Sequence, residues 1–159
     1  MSAIEEVEMS EDRVRDAAYQ AYVLLRVGFA AAPILFGLDK FFNWTVHWPD
    51  YLAAWINSIA PGSAQDFMYF VGVVEIVAGL AVAVAPTIGG PLVAAWLVGI
   101  VVNLLTKNPP EYYDIALRDF GLLLGALTLT RLAWAFRGVP VRAAWRNRHA
   151  SSERDFVAA

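Results

Sequence analysis

The sequence predicts an all-α protein, an integral membrane four-helix bundle with N and C termini cytoplasmic and an amphipathic outer-surface segment between helices 1 and 2. Three observations predict it. Of the 159 residues, 58% are hydrophobic and 17% charged, with mean hydropathy +0.50, whereas soluble domains are about half apolar and a quarter charged. The apolar residues gather in four runs, roughly residues 19–42, 67–86, 90–106 and 115–136, each within the range of about 17 to 25 that a spanning helix needs. Arginines flank the first and last runs: Arg13 and Arg15 before, and Arg137, Arg142, Arg146, Arg148 and Arg154 after. Residues 43–66 hold no Lys or Arg, and the connection into the fourth run holds Lys107 alone. The excess of positive charge therefore puts both ends on the cytoplasmic side.

The chain divides into an acidic N-terminal extension (1–18), a four-span membrane domain (19–137) and a basic C-terminal tail (138–159). The first run reads as a retained span. Acidic residues precede it ("IEEVEMSEDRVRD") and no small-residue cleavage site follows it. The second and third runs are joined by "PTIGG", which permits only a tight hairpin, with Pro86, Gly89 and Gly90 as chain breakers. In residues 44–61, Pro49 and Asp50 suit a helix start. Tyr51, Leu52, Trp55, Ile56 and Ile59 then follow at helical spacing. Two readings fit this stretch equally: an amphipathic helix on the outer surface, or a folded loop packed on the bundle. After Pro140, "VRAAWRNRHA" reads as a basic cytoplasmic segment drawn to anionic lipid.

Composition excludes several chemistries. There is no cysteine, which removes disulfides, thiol catalysis, iron–sulfur ligation and thiolate zinc sites. The two histidines, His47 and His149, lie outside the apolar runs, so an intramembrane bis-histidine haem is excluded and no metal site is expected. No nucleophile–base pair or phosphate-binding loop is recognisable. The chain therefore reads more as a non-catalytic subunit than as an enzyme. Its expected partners are the lipid bilayer and other membrane subunits, not nucleic acid.

The candidate site consists of the polar residues that the apolar runs retain. With each run centred on the bilayer, Arg26 falls about 6 Å to the cytoplasmic side, Glu75 about 3 Å and Asn103 about 7 Å to the outer side. Asp119 and Arg118 fall at about 10 and 12 Å, and Asp39 and Lys40 at about 14 Å. A charged group near the bilayer centre costs about 2.5 to 3.5 kcal/mol on insertion scales unless it is paired or wetted. Glu75 is therefore expected to face inward and find a partner, with Arg26 and Arg118 as candidates because a guanidinium matches a carboxylate. Such a pair can equally be structural and fix helix register. Lys40 reads as an interface charge that reaches to water. Gly37, Gly79, Gly121 and Gly125 are the candidate positions for close helix packing, with Gly121 and Gly125 forming a small-xxx-small pair.

Together these residues form a pattern: Arg26 early in the first span, "GLDKFF" at its end, "EIVAGL" in the second, and "YDIALRDFGLLLGAL" opening the fourth. The pattern resembles the DoxX-like family of small four-helix membrane proteins over about residues 20–135. The resemblance implies a bacterial-type cytoplasmic membrane and an accessory or anchoring subunit of a quinone-linked oxidoreductase complex. Its matching positions are Arg26, Gly37, Lys40, Glu75, Gly79, Arg118 and Asp119. An apolar cavity with a few convergent polar groups would suit a quinone or a lipid, and any electron carrier would belong to a partner. The alternative is a small proton- or cation-coupled transporter using the mid-membrane glutamate.

Overall fold

The computed structural model describes residues 3–138. Among these the protein is all-α. Helix α1 spans Ala3–Phe42, α2 Ala54–Ile59, α3 Ala64–Val84, α4 Pro86–Lys107 and α5 Tyr113–Ala135. A 3-10 turn, Trp48–Tyr51, lies between α1 and α2. The predicted basic C-terminal segment falls outside the described residues.

Three helical stretches are long and apolar enough to cross a bilayer: Glu6–Phe42, Ala64–Val84 and Pro86–Lys107. Helix α5 is of similar length but carries Asp114, Arg118, Asp119 and Arg131, and it falls below that standard. From Ala21 of the first stretch and Phe67 of the second, and along the third as far as Leu105, the outward faces are apolar, with Leu24, Val27, Leu35, Phe70, Val77, Leu80, Ile88, Val98 and Val102 all exposed. A soluble bundle would hide such residues; lipid is the solvent that suits them.

The acidic N-terminal residues form no separate element. Helix α1 runs unbroken through them for 40 residues, about 60 Å at 1.5 Å per residue, twice the thickness of a hydrocarbon core. Its far end stops at Asn43, whose φ of 50° is left-handed, a conformation asparagine tolerates. Helix α3 begins at a capping box. Ser63 Oγ accepts from the Asp66 N–H, and the Asp66 carboxylate accepts from the Ser63 N–H.

The α3–α4 connection differs from the expected "PTIGG" turn. The break is Ala85 alone, which ends α3 and precedes Pro86 at the first position of α4. Proline suits that position because the first N–H groups of a helix have no partner anyway. Gly89 and Gly90 are helical. A Cβ on Gly89 would collide with the Val82 backbone, and one on Gly90 would lie 2.6 Å from Thr130 Oγ1 of α5. They permit contact rather than break the chain.

Residues 44–61 fold as the packed loop, not as one amphipathic helix. Leu52 and Ala53 are extended backbone between the turn and α2, and both are buried. Ile59, placed on the apolar face by its spacing, is exposed. Leu52 packs with Met68 and Val71 of α3, and the Ala53 N–H donates to Asn103 of α4, so tertiary contacts on two sides hold the extended pair.

Helices α1 and α3 run antiparallel in close contact. A Cβ on Gly37 would lie 2.6 Å from the Gly72 carbonyl oxygen, and one on Gly72 would lie 2.6 Å from that of Gly37. A Cβ on Gly79 would lie 2.7 Å from Ala30 O. Gly125 faces Phe29 of α1, whereas Gly121 faces open space. Gly121 is thus corrected from the expected packing set: the bundle lies on the other side of α5. Two apolar clusters result. The larger joins Tyr19, Tyr22, Ala78, Val82, Leu97, Leu129 and Ala133 near the α3–α4 hairpin. The smaller joins Leu52, Met68 and Val71 under the loop.

Gly72→Ala is expected to lower the thermal midpoint in detergent, because overpacking costs about 1–3 kcal/mol. Gly99→Ala, in the open by the same geometry, should be neutral or raise it, since alanine exceeds glycine in helix propensity by about 1 kcal/mol. Equal effects of the two changes would contradict the close α1–α3 packing.

Candidate functional site

Along α3 the buried order is Met68, Val71, Gly72, Glu75, Ala78, Gly79 and Val82. Glu75 thus lies between the two apolar clusters, in a polar layer of its own. Its partner is Lys40. Nζ donates to Glu75 Oε2 at 2.7 Å, with side-chain exposures of 5% and 9%. Neither charge reaches water, so the pair is desolvated. The expectation that Lys40 reaches out to the interface is overturned, and so is the pairing of Glu75 with Arg26 or Arg118.

Side-chain direction explains the correction. With Gly37 opposite Gly72, the α1 residue level with Glu75 is Ile34. Lys40 is then offset along the axis by about 9 Å. Helical side chains lean toward their own N-terminus. In an antiparallel pair Lys40 and Glu75 therefore lean toward each other across the glycine contact. Arg26, on the N-terminal side of that level, leans the same way along α1 and so away from Glu75. It donates to the carbonyl oxygen of Ala83 and, at 3.4 Å, to Tyr22 Oη. Pro86 removes an N–H that α3's last turn would otherwise receive, and Arg26 supplies a cation to that helix end. Arg118 points outward, with 67% of its side chain exposed, and bonds the neighbouring Asp119 through Nε at 3.1 Å.

Trp48 links this pair to the loop. The Lys40 ammonium lies over its ring, 3.7 Å from the centroid, a cation–π contact strengthened by desolvation. The same indole donates Nε1–H to Asp39 Oδ2 at 2.7 Å. Asp39 also accepts from Trp44 N at 2.9 Å, from Thr45 N at 3.2 Å and from the Thr45 hydroxyl. Asp39 is therefore the residue that folds the chain back at the end of α1. Asn43 accepts from Trp48 N and donates to Gln65, which in turn donates to Lys40 O. From the other side, Asn103 of α4 accepts from Ala53 N at 2.9 Å and donates to Tyr51 O at 2.8 Å. Trp55 Nε1–H donates to Thr106 Oγ1 at 2.9 Å. The loop is clamped at both edges and covers the end of the polar layer.

Two further groups approach Glu75. Trp96 of α4 lies beside it, its buried indole N–H close to the carboxylate but short of full hydrogen-bond geometry with any of the described residues. Asp119 of α5, also buried, is near enough for its charge to act on Glu75. The structure thus brings Asp39, Lys40, Glu75 and Asp119 into one buried region. It places Asn103, on α4, against the covering loop, Arg118 at the outer edge and Arg26 at the far end. Trp48 was missed in the sequence because tryptophans near run ends read as interface anchors, and Trp96, in the middle of the third run, because only the packing of α4 on α3 brings it to Glu75. A groove of about 480 Å³ between the N-terminal half of α1 and the end of α5, lined by Val14, Ala18, Leu132 and Phe136 among others, lies away from this layer. Among the described residues, no group of three His, Asp or Glu side chains could hold a metal.

The DoxX family model matches residues 21–106. The chain belongs to the DoxX family. The match begins in α1, takes in Arg26, Asp39, Lys40, Glu75 and Asn103, and ends before α5. Arg118 and Asp119 lie outside it, although the wider resemblance included them. No curated protein and no solved structure matches the chain. Family and fold together make this a DoxX-family membrane protein.

Lys40→Met should destabilise the protein by about 3–5 kcal/mol, the cost of leaving one member of a buried pair unpaired. Combining Lys40→Met with Glu75→Leu should recover most of that loss, as detergent unfolding curves of the three variants would reveal. Additive losses would mean that the two residues do not pair. Asn103→Ala should leave the helices intact but expose residues 44–61 to limited proteolysis, and unchanged cleavage would contradict the clamp.

Proposed function

We propose that this DoxX-family protein is an accessory, anchoring subunit of a quinone-linked oxidoreductase complex in a bacterial-type cytoplasmic membrane. In this reading α5 is a fourth span and both termini are cytoplasmic. The observation that carries the reading is the donor set beside Glu75. The Lys40 ammonium and the buried Trp96 N–H both approach Glu75 in apolar surroundings, where a quinone carbonyl oxygen that took the place of a carboxylate oxygen would be received by both donors. The chain has no cysteine, and neither histidine lies in an apolar run, so electrons would pass through a partner's cofactor. The length of α5 and its packing along α4 and α1 support a fourth crossing. Its inward face is Ala116, Asp119, Ala126, Leu129 and Ala133.

One observation favours a second reading, a small proton- or cation-coupled transporter. Two buried carboxylates, Glu75 and Asp119, lie near enough for their charges to act on each other, Glu75 paired with Lys40 and Asp119 with the largely exposed Arg118. A proton or small cation between the two carboxylates would relieve their repulsion.

Extraction in mild detergent from native membranes, with identification of bound proteins and quinone, separates the two. The subunit reading expects a redox partner and retained quinone, with quinone lost in Trp96→Phe. A chain that purifies without a redox partner, and shows proteoliposome ion flux abolished by Glu75→Gln, would replace it with the transporter.

A further inference from the structure

The exposed face of α5 differs from those of the other long helices. From Ala21 to Phe42 on α1, from Phe67 to Val84 on α3 and from Pro86 to Leu105 on α4, no charged residue is exposed. On α5, Asp114, Leu117, Arg118, Gly121, Leu124, Thr128 and Arg131 are all exposed. At about 100° per residue they fall on one stripe, with Gly121 near its centre. Lipid does not suit this stripe, because exposed polar groups in a span normally face protein. Arg118 extends from it with 67% of its side chain uncovered and, among the described residues, bonds only Asp119, through Nε.

We propose that this face is the contact with a second copy of the same chain, in a parallel two-fold dimer through α5. The inference goes beyond the accessory-subunit reading and rests only on its placement of α5 across the membrane. Charge complementarity selects the second copy. Two copies in one membrane share an orientation, so a two-fold axis along the membrane normal sets α5 parallel to its equivalent. Leu117, Gly121, Leu124 and Thr128 follow a 4-3-4 spacing, that of a helix–helix seam. Gly121 has open space where a Cβ would stand, which lets a second backbone approach. Arg118 leans back toward its own N-terminus, to the level of Asp114 on the other copy. The symmetry then makes two reciprocal Asp114–Arg118 pairs. Arg131, at the opposite end of the stripe, reaches toward headgroups.

The protein has no cysteine, so single-cysteine variants in native membranes give a clean test. Oxidative crosslinking at Leu117→Cys and Leu124→Cys should yield disulfide dimers, and Val77→Cys on the outer face of α3 should not. In the Leu124→Cys background, Asp114→Arg or Arg118→Asp alone should lower dimer association about tenfold, the effect of losing two interhelical polar contacts in lipid. The double swap should restore it, a rescue that a merely misfolded variant would not show. No α5 crosslink, equal crosslinking at Val77→Cys, or crosslinking to a different protein would overturn the dimer while leaving the redox-subunit reading intact. A membrane-impermeant maleimide applied to opened membranes should fail to label Leu124→Cys. Labelling would show instead that α5 does not cross, and would overturn both the dimer geometry and the fourth span.

Discussion

The desolvated ion pair between Lys40 and Glu75 is the constraint around which the rest of the structure is arranged. Removing two charges from water is costly and is offset only where geometry is close and further polar contacts assist. Here the distance is 2.7 Å, and a tryptophan face covers the ammonium. The pair forms only if α1 and α3 hold one register, and that register is set by the mutual approach of Gly37 and Gly72. A shift by one helical turn would keep much of the apolar contact but bury two unmatched charges. In lipid, where apolar surfaces discriminate weakly between registers, such a penalty specifies one arrangement.

The loop between α1 and α3 depends on the same residues. Trp48 serves Lys40 with its ring and Asp39 with its N–H. Forming the ion pair and closing the loop are therefore linked. Asn103 and Thr106 fasten the other edge to α4. A loop fastened from both sides keeps water from the end of the polar layer, and a low local dielectric strengthens every polar contact beneath it. The layer is consequently a place where one added carbonyl, proton or cation would act strongly on its neighbours.

Much of this was legible in the sequence, and the remainder failed for identifiable reasons. Run lengths located the long helices, because hydrophobic length is a bulk property of a span. The burial of Glu75 followed from the cost of a charge at depth. Its partner did not, because depth along an axis carries no information on which way a side chain leans. That omission misassigned Arg26, which serves the end of α3, and understated Lys40, which carries the pair. Gly89 and Gly90 read as chain breakers because a hairpin was required nearby; Ala85 and Pro86 supply it, freeing the glycines for contact. Periodicity over residues 51–59 suggested one helix, but Leu52 and Ala53 are held by tertiary contacts that no local pattern reveals. The approach of the Trp96 N–H to Glu75 had no sequence signal, since it is set by how α4 packs against α3.

In this DoxX-family membrane protein the buried charges gather in one layer, and the least lipid-like surface lies on α5. The account depends most on Glu75 being an ionised carboxylate held by the Lys40 ammonium. Infrared difference spectroscopy of the protein in lipid, native against Glu75→Gln, isolates the absorption of that one side chain. The account predicts a carboxylate band in the native protein, shifted or replaced by a carboxylic acid band in Lys40→Met. A carboxylic acid band in the native protein near neutral pH, unchanged by Lys40→Met, would contradict it.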